Sequence, residues 1–138
     1  MAAARAYDRW FDEPWGRYAF AVQSRAIRRV AGVAHHDRVL DAGCGTGRFA
    51  SILEAEGGAV VAVDRDPGML AVASSRLAGP CLLSDVASLP LRSRSVDVAV
   101  AVTVLEFMSD PNAALRELAR VTRPGGRIVV GALNPNSP

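Results

Sequence analysis

Three aspartates stand where short apolar runs end: Asp41 in VLDAG, Asp64 in AVVAVD and Asp85 in CLLSD. A carboxylate accepts two hydroxyl donors at once, and charge-assisted hydrogen bonds are the stronger kind. An acid so placed suits a sugar diol or an exocyclic amine. Beside the first aspartate lies VLDAGCGTGRF, residues 39 to 49, with Gly43, Gly45 and Gly47 in five positions. Glycine is costly to order and buries nothing, so the cluster implies a backbone that comes close to a ligand. Asp64 follows Gly43 by 21 positions, near the spacing at which an acid meets a ribose. One such aspartate alone reads as a turn or helix cap. Three after successive strands, with the glycine loop beside the first, read as a binding edge.

The polarity of that edge narrows the ligand. Arg48 stands one residue after the third glycine, so the dinucleotide pattern is incomplete. Asp41, directly before the loop, would repel a pyrophosphate and attract an ammonium group. An adenosyl ligand with a ribose, a cationic amino-acid tail and no phosphates fits, and S-adenosylmethionine (SAM) is such a molecule. Two other readings stay open at this stage. One is a nicotinamide-dependent oxidoreductase of the same general fold, since fold alone does not fix function. The other is a SAM-binding or regulatory subunit without turnover.

The residues need elements to position them, and the chain alternates accordingly. RVLDAG, AVVAVD, CLLSD, SVDVAVAVTV and GRIVVGAL are apolar runs of strand length. Helical stretches separate them: GRFASILEAEGG, DPGMLAVASSRLAG and SDPNAALRELARVTRPGG. Asp66 and Asp110 read as N-caps, each followed by a proline at the first helical position. In the last helix Leu115, Leu118, Ala119 and Val121 form the expected buried stripe. Ahead of the first strand, the spacing of Phe20, Ile27 and Val30 predicts a helix over roughly 17 to 31, stopped by Gly32. Residues 1 to 16 are rich in aromatics and carry Pro14 and Gly16 as pattern breakers. Continuously apolar strands separated by helices indicate a doubly wound α/β fold with a parallel sheet covered on both faces. Ligands then bind beyond the carboxyl ends of the strands.

Composition bounds the rest. The 138 residues suit one domain, and half of them are apolar. The net charge of +2 is too small to imply a nucleic-acid partner. All 16 basic residues are arginine. Arg25, Arg28 and Arg29 cluster at helical spacing and read as a solvated face. Cys44 and Cys81 are neither a disulfide framework nor a metal site, and both read as buried thiols. The start has no apolar signal region and no run reaches the length of a membrane span, so a cytoplasmic setting without a membrane partner is expected.

Taken together, these motifs resemble the class I SAM-dependent methyltransferases, and within them the type 11 group that includes quinone-biosynthesis-like enzymes. The similarity runs from Val39 onward, over about 100 residues. It implies that Asp41, Gly43, Cys44 and Gly45 meet the methionine part of SAM, largely through backbone. It implies Asp64 on the ribose, with Arg65 and Met69 flanking the adenine. Asp85 would accept from the adenine amine, Val86 would donate its N–H, and Thr103 and Leu105 would floor the site near the sulfonium. YDRWFDEPWGRY resembles a segment that covers the cofactor, making Tyr7, Trp10 and Tyr18 lid candidates and residues 1–32 a cap on a SAM-binding domain of 33–138. The implied fold is Rossmann-like with strand order 3-2-1-4-5, lacking the two strands that follow in the family. The unpaired fifth strand raises the expectation of a homodimer through that edge. Methyl transfer needs little beyond proximity and orientation, so no catalytic base is assigned. His35 and His36 precede the first strand and read as loop residues, while Glu106 is a candidate for substrate contact or base. The expected acceptor is a small molecule rather than nucleic acid.

Overall fold

The computed structural model describes residues 1–134 and 136. Five parallel strands form one sheet in the order β3-β2-β1-β4-β5, the order that the family resemblance implies. They are β1 (Arg38–Ala42), β2 (Ala59–Asp64), β3 (Cys81–Leu83), β4 (Val96–Val102) and β5 (Thr122–Gly131). The helices are α1 (Ala2–Trp10), α2 (Pro14–Ala31), α3 (Arg48–Ala55), α4 (Pro67–Arg76) and α5 (Pro111–Val121), with a short 3-10 turn at Leu105–Phe107.

Strand residues alternate between two separate cores. Leu40, Ala42, Val63, Ala99 and Ala101 pack with Ala114, Leu118 and Val121 of α5. Val39, Val60, Val98, Val100 and Val129 pack with Ile27 and Ala31 of α2 and with Ala50 and Leu53 of α3. This two-sided burial explains why the strands lack a polar face. Asp66 Oδ1 accepts from the amides of Gly68 and Met69, and Asp110 Oδ1 from that of Ala113, so both predicted caps form. Gly32 ends α2 in the left-handed region at φ 52°.

Several expectations need correction. Pro14 does not break a pattern but starts α2, and a further helix, α1, precedes it. Gly16 sits in the corner between them, where a Cβ would collide with the carbonyl of Trp10. In α5, Leu115 and Ala119 are exposed and Ala114 is buried instead. The helix turns the 114–118–121 face to the sheet, because an alanine lets it approach closely. Val30 is exposed rather than packed. The fifth strand begins at Thr122, earlier than the apolar run, and reaches its neighbour through an irregularity between Val96 and Val98. Cys44 is buried, but Cys81 is only half-buried. Part of the GALNPNSP tail, Pro135, Ser137 and Pro138, lies outside the described residues. Arg25, Arg28 and Arg29 are exposed, as a solvated face should be.

Candidate functional site

The glycine loop leaves β1 and is pinned to β2. Gly43 and Cys44 both donate their amides to the Val63 carbonyl, at 2.7 and 2.9 Å. Gly43, at φ 73°, faces Val104 so closely that any Cβ would strike its methyl groups. Val104 thus takes the space that a side chain at position 43 would need. Asp64 closes β2 and braces the loop from the other side. Its Oδ2 accepts from the Gly45 amide at 2.8 Å and its Oδ1 from the Asp66 amide at 2.9 Å. Each oxygen keeps a free lone pair for a ligand.

A cavity of about 310 Å³ lies over these strand ends. Of the expected residues, Gly43, Asp64, Arg65, Met69, Asp85, Val86 and Thr103 line it. Asp85 stands two residues past β3, its Oδ1 accepting from the Ala87 amide. Thr103, at φ 56°, is tied to β5 by its amide on the Gly131 carbonyl. Ser84, Asp66, Val104, Phe107 and Met108 complete the wall and were not anticipated. Asp66 and Ser84 stand beside the expected acids Asp64 and Asp85, while Val104, Phe107 and Met108 follow β4, whose end carries no distinctive sequence pattern.

The other expected residues stand off that wall. Asp41 lies inside β1 and is 2 % exposed, with Oδ2 buried and unpartnered. Burial, then the charge of Asp64, pushes its carboxyl up to about 7, against the pull of the Ala50 amide at the start of α3. Cys44 turns its thiol into a core of Ala62, Leu70 and Ala73, and burial followed by the charges of Asp41 and Asp64 raises its pKa. Leu105 packs against the α5-side core. Gly45 offers open space beyond its Cα.

A second cavity, of about 400 Å³, lies beneath α1 and shares Gly43, Thr103 and Phe107 with the first. Tyr7 and Trp10 line it. Tyr18 does not; it stacks on Trp15 at 5.5 Å between centroids and is 61 % exposed, because α2 carries it outward. Burial, then the charges of Asp8 and Asp64, raises the Tyr7 pKa against the effect of Arg48, so its phenol stays neutral. Glu106 lines neither cavity. Its Oε2 accepts from the Leu133 amide at 2.8 Å, which tethers the segment after β5. His35 and His36 sit in the loop before β1, against Gly57.

An ionic knot holds α1 in place, and no local sequence signal reveals it. Asp8 accepts from Thr46 Oγ1 (2.7 Å), Arg48 Nε (2.8 Å) and Arg76 Nη2 (2.9 Å). Burial alone would raise its pKa, but the hydrogen bonds from Arg76, Arg48 and Thr46 outweigh it and hold the carboxyl far below the usual range. Thr46 and Arg48 flank the third glycine, so the knot joins α1 to the glycine loop and to α4.

The residues present fit SAM. Gly45 leaves open space beyond its Cα, Asp64 has acceptor capacity for a diol, and the acids behind the loop suit a cationic ligand. Residues 40–130 match the methyltransferase-domain family. A malonyl-[acyl-carrier protein] O-methyltransferase of Serratia marcescens is 40% identical over 133 residues, covering 92% of this chain and 52% of that protein. A demethylmenaquinone methyltransferase of Clavibacter sepedonicus is 40% identical over 111 residues, covering 78% and 44%. The chain thus spans about half the length of these curated relatives. A SAM-dependent methyltransferase from Thermotoga maritima superposes with a TM-score of 0.82 at 30% identity, covering 96% of this chain and 59% of that one. With its strand order, its glycine loop and its strand-end acids, the chain belongs to the SAM-dependent methyltransferase-domain family.

Proposed function

We propose that this chain binds SAM across the carboxyl ends of β1, β2, β3 and β4 and supports transfer of its methyl group to a small-molecule acceptor. Asp64 is the observation that carries the reading. It closes β2, braces the glycine loop and lines the cavity at the place where a ribose diol would be gripped. Bound SAM supplies an electrophilic methyl group on a sulfonium with a good leaving group. The chain's own residues then bind and orient. Asp64 accepts from the ribose hydroxyls, while Arg65 and Met69 flank the adenine. Asp85 accepts from its amine, and the Val86 amide donates to the ring. The loop at Gly43 to Gly45 meets the methionine part through backbone, with Asp41 and Cys44 supporting that loop from below. Thr103 lies at the floor near the reacting carbon, with Leu105 behind it.

Orientation supplies much of the rate in such a displacement, and with Glu106 outside the lining of both cavities no base is assigned. Residues 1–32 act as a lid on a SAM-binding unit of 33–138, with Tyr7 and Trp10 on its inner side. The two curated relatives act, by name, on malonyl-[acyl-carrier protein] and on demethylmenaquinone, which supports a small-molecule or carrier-borne acceptor. No described helix is long and apolar enough to cross a membrane, and a cytoplasmic setting without a nucleic-acid partner is the reading adopted. Pairing of two copies along β5, the outermost strand of the sheet on that side, belongs to the same proposal. A monomer mass independent of concentration in light scattering would exclude that pairing.

Calorimetry with SAM, S-adenosylhomocysteine and NAD tests the central reading. Binding of the two adenosyl ligands and not of NAD is expected. NAD binding without SAM binding would overturn it in favour of an oxidoreductase. Binding of SAM without turnover on any acceptor would assign the chain as a SAM-binding subunit.

A further inference from the structure

The cavity beneath α1 has a chemical character of its own. This inference rests on the SAM reading above and extends it to the acceptor. Five aromatic rings contribute to the wall, those of Tyr7, Trp10, Phe11, Phe49 and Phe107, and its polar groups Gln23, Thr46 and Thr103 are all uncharged. Its volume of about 400 Å³ suits a small organic molecule.

The ionised groups nearest this cavity already have partners. The Arg48 guanidinium lies 5.0 Å from the centroid of the Phe11 ring, but Asp8 and Asp12 hold it. Asp8 is itself held by Arg48, Arg76 and Thr46. Glu106 is bound to the Leu133 amide. Among the described residues no unpaired cation lines the cavity. Behind the shared wall at Gly43 stand Asp64 and the buried Asp41, both acids. An anion placed here would lose its hydration, find no counter-charge and face carboxylates, which is costly. A flat uncharged ring would instead gain apolar burial and edge or face contacts with the aromatic wall.

We propose that this cavity is the acceptor subsite and that it selects an uncharged, planar, predominantly apolar acceptor whose reacting atom reaches the junction at Gly43, Thr103 and Phe107. There the acceptor's electron pair forms the new bond to the methyl carbon. The pair of the broken carbon–sulfur bond stays on sulfur, leaving a neutral thioether, and the acceptor's proton passes to water. Gln23 is the specificity-determining position, because it is the neutral polar group of α2 on the wall where a cation would invert the preference.

The test is calorimetry on protein saturated with S-adenosylhomocysteine at neutral pH, using 2-naphthol and 2-naphthoate, which share a ring system and differ in charge. The expected result is binding of 2-naphthol at least about tenfold tighter than 2-naphthoate. Gln23→Arg should erase or invert that ratio. Equal or tighter binding of 2-naphthoate to the unaltered protein would overturn the proposal. So would absence of 2-naphthol binding, or a ratio indifferent to Gln23→Arg. Failure of S-adenosylhomocysteine itself to bind is a separate outcome, which removes the underlying cofactor reading and this inference with it.

Discussion

Replacing Asp8 by asparagine keeps the shape of the side chain and removes its charge from the knot that holds α1. On the structure, Oδ1 receives Thr46, Arg48 Nε and Arg76 Nη1, while Oδ2 receives Arg48 Nη2 and Arg76 Nη2. Asparagine can keep the first set as weaker bonds to a neutral acceptor. In the second set its own amide hydrogens would face two guanidiniums. The side chains of Asp8, Arg48 and Arg76 are 16, 18 and 27 % exposed, so solvent screens them only in part. An exposed pair would contribute up to about 1 kcal/mol, and stripping a partner from a fully buried pair costs about 3–5 kcal/mol. The expected loss lies between these, at about 2–4 kcal/mol. It should appear mainly as opening of α1, because the strands do not depend on the knot.

Amide hydrogen exchange reads this directly. Protection of the α1 amides should fall by about 30-fold or more, up to the limit set by the remaining contacts of α1, while β1 and β4 change far less. The folded-state pKa of Asp8 is depressed, so its contribution is complete above the unfolded value of about 3.9. It fades as the pH falls through that value toward the lower folded one. Unaltered protein should therefore lose α1 protection on acidification below about pH 4, where the asparagine variant is already open. Unchanged α1 protection in the variant at neutral pH, or an equal loss across the central strands, would refute the reasoning.

Asp64→Ala should weaken S-adenosylhomocysteine binding by about 1.5–3 kcal/mol, the scale of hydrogen bonds to a charged acceptor, and unchanged affinity in calorimetry would remove the ribose assignment. Asp41 has a raised folded-state pKa, so its buried carboxyl favours stability at low pH, and that contribution declines between about pH 4 and 7 as the unfolded state releases its proton first. Asp41→Asn should accordingly stabilise the ligand-free protein more at alkaline than at acidic pH, seen as a larger rise in Tm there. Gly16→Ala should drive a methyl into the Trp10 carbonyl and cost about 1–3 kcal/mol, with α1 protection lost ahead of global unfolding in urea.

Local chemistry made much of the site legible. Asp66 and Asp110 each precede a proline and find their amide partners within the next three residues, so their caps depend on nothing distant. The doubly wound parallel sheet followed from apolar runs separated by helices, since right-handed crossovers leave few alternatives, whereas the strand order came from the resemblance to the methyltransferases. The glycine loop and Asp64 were readable because backbone approach and strand-end acids impose residue types at fixed spacing. Asp41 was harder to place. The spacing put an acid beside the loop, but whether its side chain met the ligand edge or α3 depended on which face of β1 it occupied. Leu115 and Ala114 pose the same problem on a helix, where both fit the periodicity and the approach of α5 to the sheet chose the smaller.

By itself, then, the sequence determined the alternation of strands and helices from β1 onward and the acids at the strand ends, because those rest on periodicity and short-range hydrogen bonds. Only the tertiary structure decided that Trp10 lines a cavity while Tyr18 faces solvent, through the corner at Gly16. It alone joined Asp8 to Arg48 and Arg76, 40 and 68 residues away. Pairings at such distances leave no trace in local pattern. They exist because the parallel sheet brings the ends of β1, β2 and β4 side by side and gives α1 one surface on which to settle.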